Sequence, residues 1–145
     1  MAFRSGPSKP ILLHVLEDRF FRVKVDRDAH FLYIVRSQET FHDASETRQV
    51  HKRLVHAVMP YLRFRVLVDL RLAKGNSSND IELAIREIWF PVLVQFTHLA
   101  GLVATAAGRL QVTRMFREHG ATGKGFLTLA DALAHLGLPP NYPIS

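Results

Sequence analysis

Residues 64–80 read FRVLVDLRLAKGNSSND. A short β-branched apolar run from Arg65 to Leu70 carries one acid, Asp69, near its end; a loop of small and polar residues follows, and an apolar stretch of helical length begins at about Asp80. Continuous apolar strands are those buried on both faces, as in parallel sheets. A strand that delivers a Gly/Asn/Ser loop to a helix N-terminus is how open α/β sheets present binding sites at the carboxyl ends of their strands. The stretch therefore predicts a recognition face at Asp69, Arg71, Lys74, Asn76, Ser77 and Ser78.

Outward from this segment the pattern alternates. Upstream, Ile11 to Leu16 reads as a short strand. Phe21, Val23 and Val25 then alternate with Arg22, Lys24 and Asp26, the period of a strand with one wet face, and a turn at Asp26 to His30 leads into Phe31 to Arg36. These two runs predict a hairpin. Asp43 with Glu46 three residues on has the form of a capping box, and Val50, Leu54, Val58 and Tyr61 recur at helical spacing, which predicts a helix ending near Pro60. Downstream, Pro91 should kink or end the helix begun at Asp80. Leu99 to Ala107 reads as a second buried parallel strand, with Gly108 turning into a helix that carries Leu110, Val112, Met115 and Phe116 and stops at Gly120. Gly120, Gly123, Lys124 and Gly125 read as loop, Phe126 to Thr128 as a last strand, and Leu129 to Leu136 as a helix started by Thr128 and Asp131 and closed by Gly137.

The expected fold is α/β: a mixed, mostly parallel sheet of about four to six strands with about four helices, the first hairpin giving an antiparallel edge. Residues 1–10 are expected to be a disordered N-terminal segment, residues 11–137 one domain, and residues 138–145, with three prolines, an extended C-terminal tail.

Composition narrows the chemistry. At 145 residues with 48% apolar and 22% charged side chains, the chain has ordinary globular values. The apolar stretch Ile88 to Phe96 is broken by Pro91 and Gln95 and is shorter than the roughly 18 residues that suggest a membrane span. The start MAFRSGPSKP has no apolar signal core, so a cytoplasmic setting is expected. Zero cysteines exclude disulfides and thiolate chemistry, and none of the eight histidines stands in an H-x-x-x-H or HExxH spacing, so no metal or other cofactor is expected. Phosphate-loop, dinucleotide and nucleophile-elbow motifs are also missing. The net charge of +6 is spread without a Lys/Arg run, which makes nucleic acid an unexpected partner and leaves acidic protein, lipid headgroup or phosphate open.

The succession VLVDL, polar loop, helix, GLVATAAG, helix, FLTLADALAHL resembles the STAS domain superfamily, and within it the SpoIIAA-like, anti-sigma-factor antagonist-like proteins of bacterial signalling. The resemblance runs from about Ile11 to Gly137. It implies a non-enzymatic module that binds a protein partner, a regulator or kinase, through the loop at 69–80, with Arg109 at the neighbouring strand end. In that family the loop-to-helix junction carries a phosphorylated serine; Ser77 and Ser78 hold the corresponding place, although Asn76 and Asn79 stand where the family has Asp and Gly. The plainer role for Ser78 or Asn79 is to cap the helix. The fold is also similar in topology to lipid-carrying Sec14-type proteins, which implies a groove for a lipid or other apolar ligand around Ile85, Trp89, Phe90 and Leu93. The same apolar residues would alternatively be covered in a homodimer.

Overall fold

The computed structural model describes residues 12–75 and 78–144. Asn76, Ser77 and the segment expected to be disordered lie outside the described residues. Strands β1 (Leu13–Glu17), β2 (Phe21–Asp26) and β3 (Phe31–Arg36) form an antiparallel meander. Strands β4 (Arg65–Asp69), β5 (His98–Leu102) and β6 (Lys124–Phe126) then add in parallel, one after another, so spatial order equals chain order across the six-stranded sheet.

That order decides where the helices go. Right-handed crossovers that all step the same way across a sheet deposit their helices on one face. On that face α1 (Ala44–Val58), α2 (Asn79–Ile88), the short α3 (Phe90–Leu93) and α4 (Ala106–Glu118) bury Val50, Leu54, Trp89, Phe90, Val112 and Phe116 against Val23, Ile34, Val66 and Val68. The opposite face holds Phe31, Tyr33, Leu67, Ala100 and Leu102 and receives α5 (Leu129–His135) together with Leu138 and Tyr142.

Local chemistry sets the helix ends. The Asp43 carboxylate accepts from the Glu46 N–H at 2.8 Å, while the Glu46 carboxylate reaches back to the His42 N–H at 2.7 Å, one residue earlier than a capping box requires. Pro91 ends α2 as its chemistry demands: the helix stops at Ile88, and the proline sits in the first turn of α3, where a missing N–H costs nothing. Gly137 closes α5 with φ of 74°, as its position after the last helical residues foretold.

Three local expectations are corrected. First, β5 ends at Leu102 rather than continuing to Ala107, because the Thr105 hydroxyl accepts from the Gly108 N–H at 3.0 Å and starts α4 at Ala106. Second, Lys124 to Phe126, expected as loop running into a strand at Phe126 to Thr128, is itself the edge strand. A Cβ on Gly125 would lie 2.8 Å from the Arg109 carbonyl oxygen, so its glycine serves close packing of α4 rather than a turn. The Gly125 N–H is taken by the Thr113 hydroxyl at 2.9 Å, which blunts that sheet edge. Third, the wet face expected for β2 is covered. Lys24 and Asp26 are buried. No crossover helix reaches that face, and the segment after Gly137 folds over it: Tyr142 stacks edge-on to Phe31, and its hydroxyl donates to the Asp26 carboxylate. Residues 138–144 thus hold no helix or strand, yet Leu138 and Tyr142 are buried.

Candidate binding site

The C-terminal ends of the parallel strands β3, β4 and β5 lie side by side, with Val35 paired to Asp69 and Asp69 to Leu102. Side chains alternate across each strand, so the residues at these ends divide between the two faces. Val68 and Leu70 point toward the helices, as does Arg36; Asp69 points the other way, beside Tyr33.

Asp69 is 4% exposed and fully engaged. Its carboxylate accepts the Tyr33 hydroxyl at 2.7 Å, the Arg71 N–H at 3.1 Å, and a two-pronged contact from the Arg71 guanidinium at 3.0 and 2.8 Å. Burial works against its charge, but the donors of Arg71 and Tyr33 outweigh it and hold the carboxyl below its ordinary range. The same arrangement pushes the Tyr33 phenol upward, first through burial and then through the neighbouring carboxylate. Asp69 therefore fixes the start of the loop: Arg71 folds back on it, and a turn closes from the Ala73 N–H to the Leu70 carbonyl at 3.1 Å. Leu72 stands between them, 59% exposed.

On the helical face the same strand ends border a cavity of about 330 Å³. Its walls include all four residues predicted for an apolar ligand, Ile85, Trp89, Phe90 and Leu93, together with Val68 and Leu70 of the central strand region. Trp89, Phe90 and Leu93 are buried members of the main core, so the cavity is an inlet into that core rather than a surface dimple. Lys74 and Gly75 stand at its rim on the loop side, and Gln111, Arg114, Glu118 and His119 at its rim on α4.

Two wall residues escaped the sequence reading. Arg36, 9% exposed at the end of β3, lies with its guanidinium carbon 4.5 Å over the Phe41 ring and 5.5 Å from that of Phe21. Its nitrogens donate to the carbonyls of Ser37 at 2.9 Å and Glu39 at 2.6 Å. His51, 3% exposed on α1, packs against the same two rings and donates from Nδ1 to the Thr47 carbonyl at 2.7 Å. Burial lowers its pKa, and the Arg36 charge adds to that effect against the pull of the Thr47 carbonyl, so the ring is neutral with Nε2 left as an acceptor. The rule that singled out Asp69, a polar residue at the carboxyl end of an otherwise buried parallel strand, applies equally to Arg36 at the end of FLYIVR.

The predicted recognition face is thus divided. Asp69 and Arg71 form one unit on the second face, Lys74 belongs to the cavity rim, and Ser78 is the extended N-cap residue of α2. Arg109 lines a separate open hollow with Lys124, Phe126 and His135 between α4, β6 and α5. Among the described residues no group of three His, Asp or Glu side chains is placed to hold a metal ion, and no helix is long and apolar enough to cross a membrane.

A six-stranded mixed sheet with meander, three parallel crossovers and a final helix on the bare face is a SpoIIAA-like fold. The crystal structure of an uncharacterised protein of the DUF3478 family from Shewanella loihica PV-4, itself described as having a SpoIIAA-like fold, superposes with a TM-score of 0.58 over 93% of this chain and 99% of that one, at 13% sequence identity. No protein-family model and no curated protein matches the sequence.

Proposed function

We propose that this chain is a non-enzymatic, cytoplasmic binding module that takes up a small, largely apolar ligand between the helical face of its sheet and α1, α2 and α4. The observation that carries the reading is the 330 Å³ inlet walled by Trp89, Phe90 and Leu93. Protein interiors pack to crystal density and seldom leave voids larger than a water molecule, whereas ligand sites occupy about 300–1,000 Å³. This inlet is of ligand size and opens at the strand ends where α/β sheets bind. Trp89 is the only tryptophan in the chain and reports on the site directly. Native mass spectrometry of protein purified from its own host should show a bound small molecule, and its removal should shift Trp89 emission; a ligand-free protein whose emission no apolar probe alters excludes the reading.

A second reading, a protein partner such as a regulator or kinase at loop 69–80, is favoured by Leu72. A leucine 59% exposed beside an arginine pinned by a buried carboxylate is an apolar contact held on an ordered support. Leu72→Asp should then abolish co-purification of that partner while leaving the cavity unchanged. Regulation by phosphate at Ser77 or Ser78 belongs to this second reading and is tested by Ser78→Ala and Ser77→Ala in the same assay.

A further inference from the structure

We infer that the ligand of the inlet is an amphipathic monoanion, an apolar body ending in one negatively charged group, and that Arg36 is the residue that reads the charge. This rests on the ligand-cavity reading above and adds the chemical class of the occupant.

The starting observation is a buried cation without a counter-charge. Arg36 is one-tenth exposed, and its guanidinium donates to neutral oxygens: the Ser37 carbonyl, the Ser37 hydroxyl and the Glu39 carbonyl. Among the described residues no carboxylate lies within ion-pair distance of it. Its nearest acidic influences, Asp18 and Glu39, act from farther off. Asp18 accepts through Oδ1 from the N–H groups of Phe20 and Phe21 at 2.8 Å each, while its Oδ2, buried without a hydrogen-bond partner, faces Arg53 at 3.7 Å. The faces of Phe20, Phe21 and Phe41 offset part of the guanidinium charge, but cation–π contacts contribute far less than a desolvated carboxylate or phosphate partner. Burying a charge unpaired is costly, and such groups are ordinarily paired. Arg36 forms part of the wall of the inlet, so an occupant of the inlet can supply the missing counter-charge.

The surroundings agree in sign. Four cations, Arg36, Lys74, Arg86 and Arg114, line the inlet against two carboxylates, Glu82 and Glu118. Glu118 and Arg114 pair with each other at 3.8 Å, which leaves Arg36, Lys74 and Arg86 against Glu82. Beside Arg36 the ring of His51 is held neutral by burial with Nδ1 committed to Thr47, so it contributes an acceptor and no second positive charge. One buried positive charge at the head and Ile85, Trp89, Phe90 and Leu93 along the body match one anionic group on an apolar chain or ring.

The test compares two probes of the same length in titrations of wild-type protein followed by Trp89 fluorescence: decanoate and its uncharged methyl ester. Decanoate should bind at least about tenfold more tightly than the ester. Arg36→Met keeps an apolar stem against the phenylalanines and should bring the two affinities together chiefly by weakening decanoate, while Arg36→Lys, which keeps the charge, should retain a preference for the acid. Equal affinity of wild type for acid and ester overturns the inference and leaves the apolar site standing. A preference for the acid that survives in Arg36→Met also overturns it. Saturable binding of neither probe overturns both the inference and the site. The wild-type comparison decides the matter even where a variant fails to fold.

Discussion

Asp69 shows how one side chain can be legible in the sequence while the side of the sheet it faces is not. A lone acid at the end of VLVD pointed to the carboxyl edge of the sheet, and the edge is where it stands. What the run could not state is that period-two alternation turns Asp69 away from the helices, into a bond with Tyr33, a residue 36 positions away. Its role is to anchor the loop. Asp69→Ala strands a buried phenol and releases Arg71, and the loss of stability should be about 1–3 kcal/mol in urea unfolding, with faster proteolytic nicking at 70–75. The pH dependence has a defined sign. Because the folded-state pKa is depressed, the carboxylate stabilises the fold above its ordinary value near 4 and that contribution is lost as pH falls through the folded value. The stability gap between wild type and Asp69→Asn should therefore narrow on going from about pH 5 to about pH 2. Gly125 was misread for a related reason. In a sequence a glycine advertises backbone freedom, whereas here the missing Cβ is what matters, since α4 backbone occupies its place. Gly125→Val should lower stability by about 1–3 kcal/mol or more, read as a fall in Tm.

Among the elements, those with strong periodicity and caps were recovered: the hairpin, α1, β4, and the break at Pro91. The errors cluster at β5 and β6, where alanine, threonine and glycine carry little period and a single hydroxyl, Thr105, shifts the boundary. The segment 138–144 is the element whose importance was least visible, since prolines and a turn gave it no pattern at all. Its Tyr142 covers Asp26, one of the two buried members of the β2 face that carries Arg22, Lys24 and Asp26. Tyr142→Ala removes the aromatic cover of Phe31 and leaves the Asp26 carboxylate buried without its phenolic donor. A loss of about 3–5 kcal/mol is expected, with increased binding of a hydrophobic dye to the native-state protein; Tyr142→Phe, which keeps the ring, should cost about 1–3 kcal/mol.

Across the whole molecule, fold class was more legible than site. The alternation of strand-like and helix-like segments fixes a largely parallel sheet with few alternatives, because crossovers have one hand. The cavity is different in kind: its wall draws on β2, β3, β4, α1, α2, α3 and α4, and no local pattern announces that side chains from seven elements will leave a gap. Ile85, Trp89, Phe90 and Leu93, which line the cavity, stood out in the sequence because they form an excess of apolar surface on one helical stretch. Arg36 and His51 were missed because each looks ordinary beside its own neighbours.

Spatial order equal to chain order also has a kinetic meaning. Each strand docks beside the one made just before it, so closure of the sheet proceeds through comparatively short loops, and the transition state can form without the contact that joins positions 26 and 142 across 116 residues. Tyr142→Phe should accordingly leave the refolding arm of the chevron almost unmoved and accelerate unfolding, a φ-value near zero. The tyrosine clasp would then govern how long the native state lasts, while the neighbour-by-neighbour sheet governs how quickly it is reached.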